Sequence, residues 1–398
     1  MKKNLLILVC LISLGIFSCG DDGGDGPSVL PKMSISDVTF FEGDEGEGSF
    51  DFKVTLTAAS EETVSASYTL QGDDAEAGSD FSSVTIGTVS FAPSETSVTL
   101  SIEIIRDTLR EGDETFKVLL SNPVGAVLEK EEGIGTIRND DTFILIDATG
   151  YTTPTTYPGL TMVWSDEFGG STVNSANWTY EIGDGCPGLC GWGNNELEYY
   201  TNSSKNSFQT QGVLVIEARE ENQGNSNYTS ARMISRDKQT FKYGRIDMRA
   251  KLPVDRGLWP ALWLLPQENI FGGWPFSGEI DIVELVGQAP ATVHGTVHFQ
   301  GAGGHQFVGN SYTISPDNFS DEFHVFSIDW QEDEIKFYVD DNLYNTITPS
   351  SLGTANYPYN EEFFFIMNVA VGGEWPGPPP AETDFPQRMF VDYVRVFQ

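Results

Sequence analysis

Three carboxylates crowd one short apolar run: Ser277-Gly-Glu-Ile-Asp-Ile-Val-Glu-Leu-Val286 carries Glu279, Asp281 and Glu284. Strand alternation puts Glu279 and Asp281 on one face and Ile280 and Ile282 on the other. Continued strictly, it turns Glu284 to the apolar side, where an unpaired carboxylate is costly. One inserted residue, a β-bulge near Ile282 or Val283, shifts the parity and brings all three acids to one face. Acids so close repel, and one chemistry that needs them together is retaining glycoside hydrolysis. It uses a nucleophilic carboxylate and an acid/base of raised pKa, about 5–5.5 Å apart. Asp281, between the two glutamates, would hydrogen-bond one of them and bias which holds the proton. A solvated acidic edge strand is the plain alternative.

The elements that must position such a site read as strands. Few segments show a helical apolar period, whereas many short β-branched and aromatic runs end in Gly, Asn or Asp. The expected fold class is all-β, and 398 residues suggest two domains. With 58 acidic against 22 basic residues, a formal net charge of −36, the surface repels phosphate backbones and argues against nucleic acid as a partner. The acidity serves solubility, with Ca²⁺ on clustered carboxylates as the more specific alternative.

The first residues read as an address. Lys2 and Lys3 precede an apolar stretch, Leu5 to Phe17, too short to span a bilayer. The following Ser18-Cys19 resembles the lipobox of bacterial lipoproteins, which implies removal of residues 1–18 and lipidation of Cys19. The acidic, Gly-rich stretch over 19–32 resembles the tether of Gram-negative lipoproteins exported to the cell surface. The expected location is the cell envelope, as an outer-membrane lipoprotein with a lipid anchor; a cleaved soluble signal peptide and secretion is the alternative. Cys10 leaves with the signal segment. Cys186 and Cys190, in a Cys-Pro-Gly-Leu-Cys loop exposed to an oxidising compartment, are expected to form a disulfide, since no His or second Cys pair lies near enough to favour zinc.

Residues 33–141 read as seven short strands: Ser34–Phe41, Gly48–Leu56, Thr63–Leu70, Val84–Phe91, Ser97–Ile105, Glu114–Leu120 and Gly133–Arg138. Glu42-Gly43, Ala77-Gly-Ser-Asp-Phe81, Glu111-Gly-Asp-Glu-Thr-Phe-Lys-Val118 and Gly135-Thr-Ile-Arg-Asn-Asp-Asp141 resemble the Calx-beta domain in order and spacing. The resemblance implies an immunoglobulin-like sandwich. It also offers Asp107, Glu111, Asp113, Asp140 and Asp141 as a calcium site at one end, with a plain spacer as the alternative. Residues 142–160, rich in Thr and Pro, read as an extended linker that keeps two domains apart, with the second domain over 161–398.

The run from Glu279 to Glu284 has the signature form of glycoside hydrolase family 16, in its version with one extra residue. The flanks resemble the laminarinase-like branch of that family across nearly the whole second domain. They include Trp164-Ser-Asp-Glu-Phe168, Trp192-Gly-Asn-Asn-Glu-Leu-Glu-Tyr-Tyr-Thr201, Tyr228-Thr-Ser-Ala-Arg232, Tyr243-Gly-Arg-Ile246, Gly257-Leu-Trp-Pro-Ala-Leu-Trp263, Val293-His-Gly-Thr-Val-His298, Asn368-Val-Ala-Val-Gly-Gly-Glu-Trp-Pro-Gly377 and Val391-Asp-Tyr-Val-Arg-Val396. The resemblance implies a C-terminal β-jelly roll, a two-sheet sandwich with a glycan cleft, acting on internal bonds with net retention. It makes Glu279 the nucleophile, Glu284 the acid/base and Asp281 the assisting acid, with no cofactor for catalysis. It also implies a structural Ca²⁺ held by Glu167, the backbone of Gly212 and Asp392; a solvent-facing strand residue is the alternative for Asp392.

Sugar rings offer C–H faces that stack on indoles and hydroxyls that need paired donors and acceptors. Trp259, Trp263 and Trp375 are the expected platforms, and Asn195, Glu196, Arg232 and His298 the expected polar partners. For any of these indoles a core position is the competing reading. His298 shares a strand face with Thr296 and is expected in the cleft, against an interior histidine. The expected partner is a β-glucan cut by a monomer acting as an endo-β-1,3-glucanase. The alternatives are a mixed-linkage glucanase, a galactan hydrolase, or a non-catalytic glycan-binding lipoprotein that would have lost the carboxylates.

Overall fold

A computed structural model describes residues 30–43, 48–111, 113–141 and 143–398. The signal segment, Cys19 and most of the tether lie outside the described residues. No helix among the described residues is long and apolar enough to cross a membrane. Internal packing divides the chain into two compact units. Of the described residues, the first comprises 30–40, 48–106 and 114–137, and the second 41–43, 107–111, 113, 138–141 and 143–398.

The first unit is built on two sheets of four and five strands. Period-two alternation drives it: in Gly48–Leu56 the residues Phe50, Phe52 and Val54 are buried while Asp51 and Lys53 are exposed. Phe81 and Phe116 stack at 4.7 Å in the resulting core, where Phe91 is also buried. One expected strand, Ser34–Phe41, is broken into Lys32–Ile35 and Val38–Phe41, which belong to different sheets. Between them the Asp37 carboxylate accepts the amide of Ile134 at 2.9 Å. A further strand, Val127–Lys130, pairs parallel to Lys32–Ile35 and was not expected.

The second unit stacks a 10-stranded sheet on an 8-stranded one. In chain order the strands that carry the site are β1 (Thr179–Glu181), β2 (Arg232–Ile234), β3 (Leu258–Pro266), β4 (Glu279–Leu285), β5 (Thr292–Gly301), β6 (Gly304–Thr313) and β7 (Phe363–Val371). In space they run β1-β2-β7-β3-β4-β5-β6. One face of this sheet packs on the core through Leu262, Leu264, Ile280, Leu285, Val297, Phe365, Met367 and Val369. All nine residues of β7 are buried because the other face also carries a small cluster, Ile234, Phe364 and Ile366, flanked by Trp263 and Leu265.

The expected linker is not a linker. Residues 143–160 belong to the second unit and are stitched to it by side chains reaching their backbone. Arg249, 3% exposed, donates Nε to the Tyr151 carbonyl at 2.6 Å and Nη2 to the Ala148 carbonyl at 2.8 Å. Tyr151 donates its amide to Phe323 O at 2.8 Å, and the hydroxyl of Tyr157 donates to Asp247 at 2.7 Å. Proline cannot donate to a strand ladder, and the carbonyls left unpaired in this segment are satisfied by a buried guanidinium.

Candidate active site

The β4 ladder contains the inserted residue. Against β5, Asp281 stands opposite Thr296 and Glu284 opposite His294, a step of three on one strand and two on the other. Against β3, Trp263 pairs with Asp281 and Leu262 with Val283, so Ile282 is the extra residue. Ile282 and Val283 are both essentially fully buried and both join the apolar core. Two consecutive residues turned inward is what a bulge produces, and it returns Glu284 to the face of Glu279 and Asp281. Opposite residues in an antiparallel ladder share a face, so one row crosses the sheet: Glu181, Arg232, Asn368, Ala261, Glu284, His294.

Electrostatics follow from this crowding. Glu279 is 16% exposed at its side chain; it accepts the Trp274 indole N–H at 2.8 Å, and its Oε1 lies 3.9 Å from His298 Nε2. Asp281 is 2% exposed, with Oδ2 3.0 Å from His298 Nε2. Glu284 accepts the Trp259 indole N–H at 3.1 Å. Burial, and then the charge of Asp281, push Glu279 up to about 8. Burial raises Asp281 to about 8 as well. Glu284 is raised well above the ordinary carboxylate range, first by burial and then by Asp281. At neutral pH this trio holds protons that an exposed carboxylate would have released, as an acid catalyst requires.

Each expected binding residue has a defined place. Arg232 lies 4.7 Å from the ring centres of both Trp192 and Trp263, and donates Nε to Glu181 at 2.6 Å. Trp263 donates to Asn368 at 2.7 Å, Asn368 to Tyr200 Oη at 3.0 Å, and Tyr200 to Glu196 at 3.1 Å. This line ties Glu196 to the sheet face. Asn195 donates to Glu374 at 2.8 Å, next to Trp375. Trp375 meets Trp259 edge-on at 5.5 Å and His294 at 4.9 Å. Among the three expected platforms Trp375 is the exposed one, while Trp259 and Trp263 are half-buried.

Sequence reasoning missed Trp274, Trp192, Asn368 and His305. Trp274 is 53% exposed and touches Glu279, yet it sits in a Gly-Gly-Trp-Pro turn where no strand period assigns it a face. An indole five residues before a suspected nucleophile was the available signal. His305 Nε2 lies 2.8 Å from His298 Nδ1, a pairing created by the β5–β6 hairpin.

Cys186 and Cys190 are joined as a disulfide. Each carboxylate expected to hold calcium meets an arginine. Glu167 accepts from Arg395 at 2.7 Å, and Asp392 from Arg249 at 2.8 Å. Among the described residues, Asp107, Asp113, Asp140 and Asp141 belong to no group of three with ligand atoms within 4.8 Å of one another. Asp107 accepts the Leu109 amide and Asp140 the Gly43 amide, so these oxygens serve their own loops.

Comparison with known proteins agrees with this geometry. The model of the glycosyl hydrolases family 16 matches residues 194–395, and that of the Calx-beta domain residues 32–147. The chain is 41% identical over 251 residues to a beta-glucanase from Rhodothermus marinus, covering 61% of this chain and 86% of that protein. It is 40% identical over 259 residues to glucan endo-1,3-beta-glucosidase A1 from Niallia circulans, but spans only 38% of that longer relative. The laminarinase catalytic domain from Thermotoga maritima is 45% identical and superposes with a TM-score of 0.56, over 60% of this chain and 98% of that one.

Proposed function

The chain belongs to the glycosyl hydrolases of family 16, and from that premise we propose that it hydrolyses internal β-1,3 bonds of laminarin-like β-glucan with net retention. The observation that carries the reading is the bulge at Ile282, which sets three carboxylates on one face of β4, opposite the apolar core. In the first step Glu284, kept protonated by burial, gives its proton to the glycosidic oxygen. The bonding pair leaves with that oxygen while a Glu279 oxygen closes on the anomeric carbon, forming a glycosyl ester. The Trp274 N–H favours the ionised form of Glu279, and Asp281 takes up the proton the pair shares. In the second step Glu284, now a carboxylate, removes a proton from water. The water oxygen attacks the same carbon and releases Glu279. No cofactor enters: carboxylates of the chain handle every proton and electron pair.

The test is product analysis after incubation with laminarin, lichenan and agarose beside a Glu279→Gln control. Oligosaccharides released from laminarin are expected, with a loss of at least about a thousandfold in the control because the covalent route is gone. Activity on agarose alone overturns the glucan assignment, and a preference for lichenan moves it to mixed-linkage glucan.

Cys19 is proposed as the lipid attachment point of an outer-membrane lipoprotein facing the polysaccharide; loss of labelled-palmitate incorporation in Cys19→Ser checks this. A calcium at Glu167, Gly212 and Asp392 would act on stability alone, and would have to displace Arg395 and Arg249. An unchanged melting midpoint after chelation would remove it from the reading. The proposal takes the chain as a monomer, and sedimentation at working concentration tests that.

A further inference from the structure

We propose that Glu279, Asp281 and His298 form an inhibitory binding site for a divalent transition cation such as Zn²⁺. Binding itself is independent of the hydrolase reading, whereas the inhibition rests on Glu279 being the nucleophile. The ladder sets the three side by side: Glu279 stands opposite His298, and Asp281 two residues on stands opposite Thr296. One ligand atom from each lies within 4.8 Å of the other two. His298 Nε2 is 3.0 Å from Asp281 Oδ2 and 3.9 Å from Glu279 Oε1. Ligands about 2.0–2.2 Å from a tetrahedral zinc are about 3.4 Å from one another, so the two gaps bracket that edge.

The donor atoms are not spent elsewhere. Asp281 is 2% exposed, and its Oδ2 has no hydrogen-bond partner among the described residues. Its 3.0 Å approach to His298 Nε2 is therefore close without being a hydrogen bond, which needs the hydrogen near the line of centres. An ion held by several donors lies off the line joining any two of them, so the same approach suits coordination. Glu279 gives Oε2 to the Trp274 indole N–H and keeps Oε1 on the His298 side. His298 is free to bind through Nε2 because its Nδ1 faces His305 Nε2 at 2.8 Å, an acceptor for the N–H that a neutral imidazole keeps. Neither carboxylate forms an ion pair with arginine or lysine among the described residues, unlike Glu167 and Asp392. One imidazole with two carboxylates suits Zn²⁺, Co²⁺ or Cu²⁺, whereas Ca²⁺ and Mg²⁺ favour oxygen alone. An ion there withdraws a Glu279 oxygen from the anomeric carbon and sits where the sugar must come. Glucan and cation then exclude each other.

Co²⁺ is the probe, because its visible absorption reports the number and type of its ligands. Titrated into the full chain, it should give an absorbing site that is lost in His298→Gln and in Asp281→Asn. Far-UV circular dichroism of both variants separates loss of a ligand from loss of the fold. In the native protein a laminarin oligosaccharide should displace the bound Co²⁺, a readout that needs no variant. With laminarin as substrate, Zn²⁺ should raise the apparent KM at least about tenfold with kcat within about twofold, and a chelator should restore it. Mg²⁺ and Ca²⁺ at the same concentration should leave KM unchanged. Equal inhibition by Mg²⁺, or a Co²⁺ spectrum that survives His298→Gln, would overturn the proposal. Co²⁺ binding requires no turnover, so the two readings fail separately. Cation binding without laminarin hydrolysis removes the hydrolase reading alone, and hydrolysis unmoved by Zn²⁺ removes this site alone.

Discussion

The indole N–H of Trp259 donates to Glu284 Oε1 at 3.1 Å, binding the proposed acid/base to a neighbouring strand. A donor to a carboxylate favours its charged form, so it opposes the burial that raises Glu284. Trp259→Phe keeps most of the ring and removes the donor. The Glu284 pKa should rise further, moving the alkaline limb of the kcat profile to higher pH, with a loss in kcat of about tenfold. A pH series on laminarin measures both, and an unmoved alkaline limb would count against Glu284 as the acid.

Glu279 also makes stability depend on pH. Its pKa is about 8 in the folded chain against 4.5 for an ordinary glutamate, so across that window the native state binds protons that the unfolded chain has released. Stability contributed by the protonated form is complete below 4.5 and is lost as pH rises through about 8. Glu279→Gln, permanently neutral, should match the native protein near pH 4. At pH 8 it should melt roughly 3–8 °C higher. Melting curves across that range test the sign, and a gap that closes with rising pH would contradict the assigned burial.

Deleting Ile282 restores strict alternation with Glu284 still on the face of Glu279 and Asp281, because Val283 alone then turns inward between the acids. The sheet should therefore stay folded, at a cost of about 2–5 kcal/mol for the lost buried side chain. Val283→Glu in the intact strand, by contrast, buries an unpaired carboxylate at several kcal/mol, enough to unfold the sheet locally. Circular dichroism and thermal melts of the two variants decide; equal stability would mean that Val283 does not face the core.

Arg249→Ala removes the side chain that satisfies the carbonyls of Ala148 and Tyr151 and leaves Asp392 without its ion pair. A loss of about 2–4 kcal/mol is expected from the stranded polar groups. Protease cleavage and hydrogen exchange over 148–153 should accelerate well before global unfolding. Exchange unchanged in that segment would show that it is held by other contacts.

Much of this protein is local, and local order can be read from residue types. The strands of both units follow from period-two alternation, and the need for an irregularity near Ile282 follows from one carboxylate falling on the wrong parity. Trp259, Trp263 and Arg232 could be named because they lie in stretches that resemble family 16. What alternation does not carry is which strands lie side by side. The His298–His305 pair, the Trp192–Arg232–Trp263 stack and the row from Glu181 to His294 exist only because β2, β7, β3, β4, β5 and β6 pair in that spatial order. The expected linker was misread for the same reason: Thr-Pro composition describes a chain without a ladder partner, and Arg249 supplies its contacts from about a hundred residues away. The raised pKa values also belong to tertiary structure, since burial is the first cause of each and no residue carries its burial in its own identity.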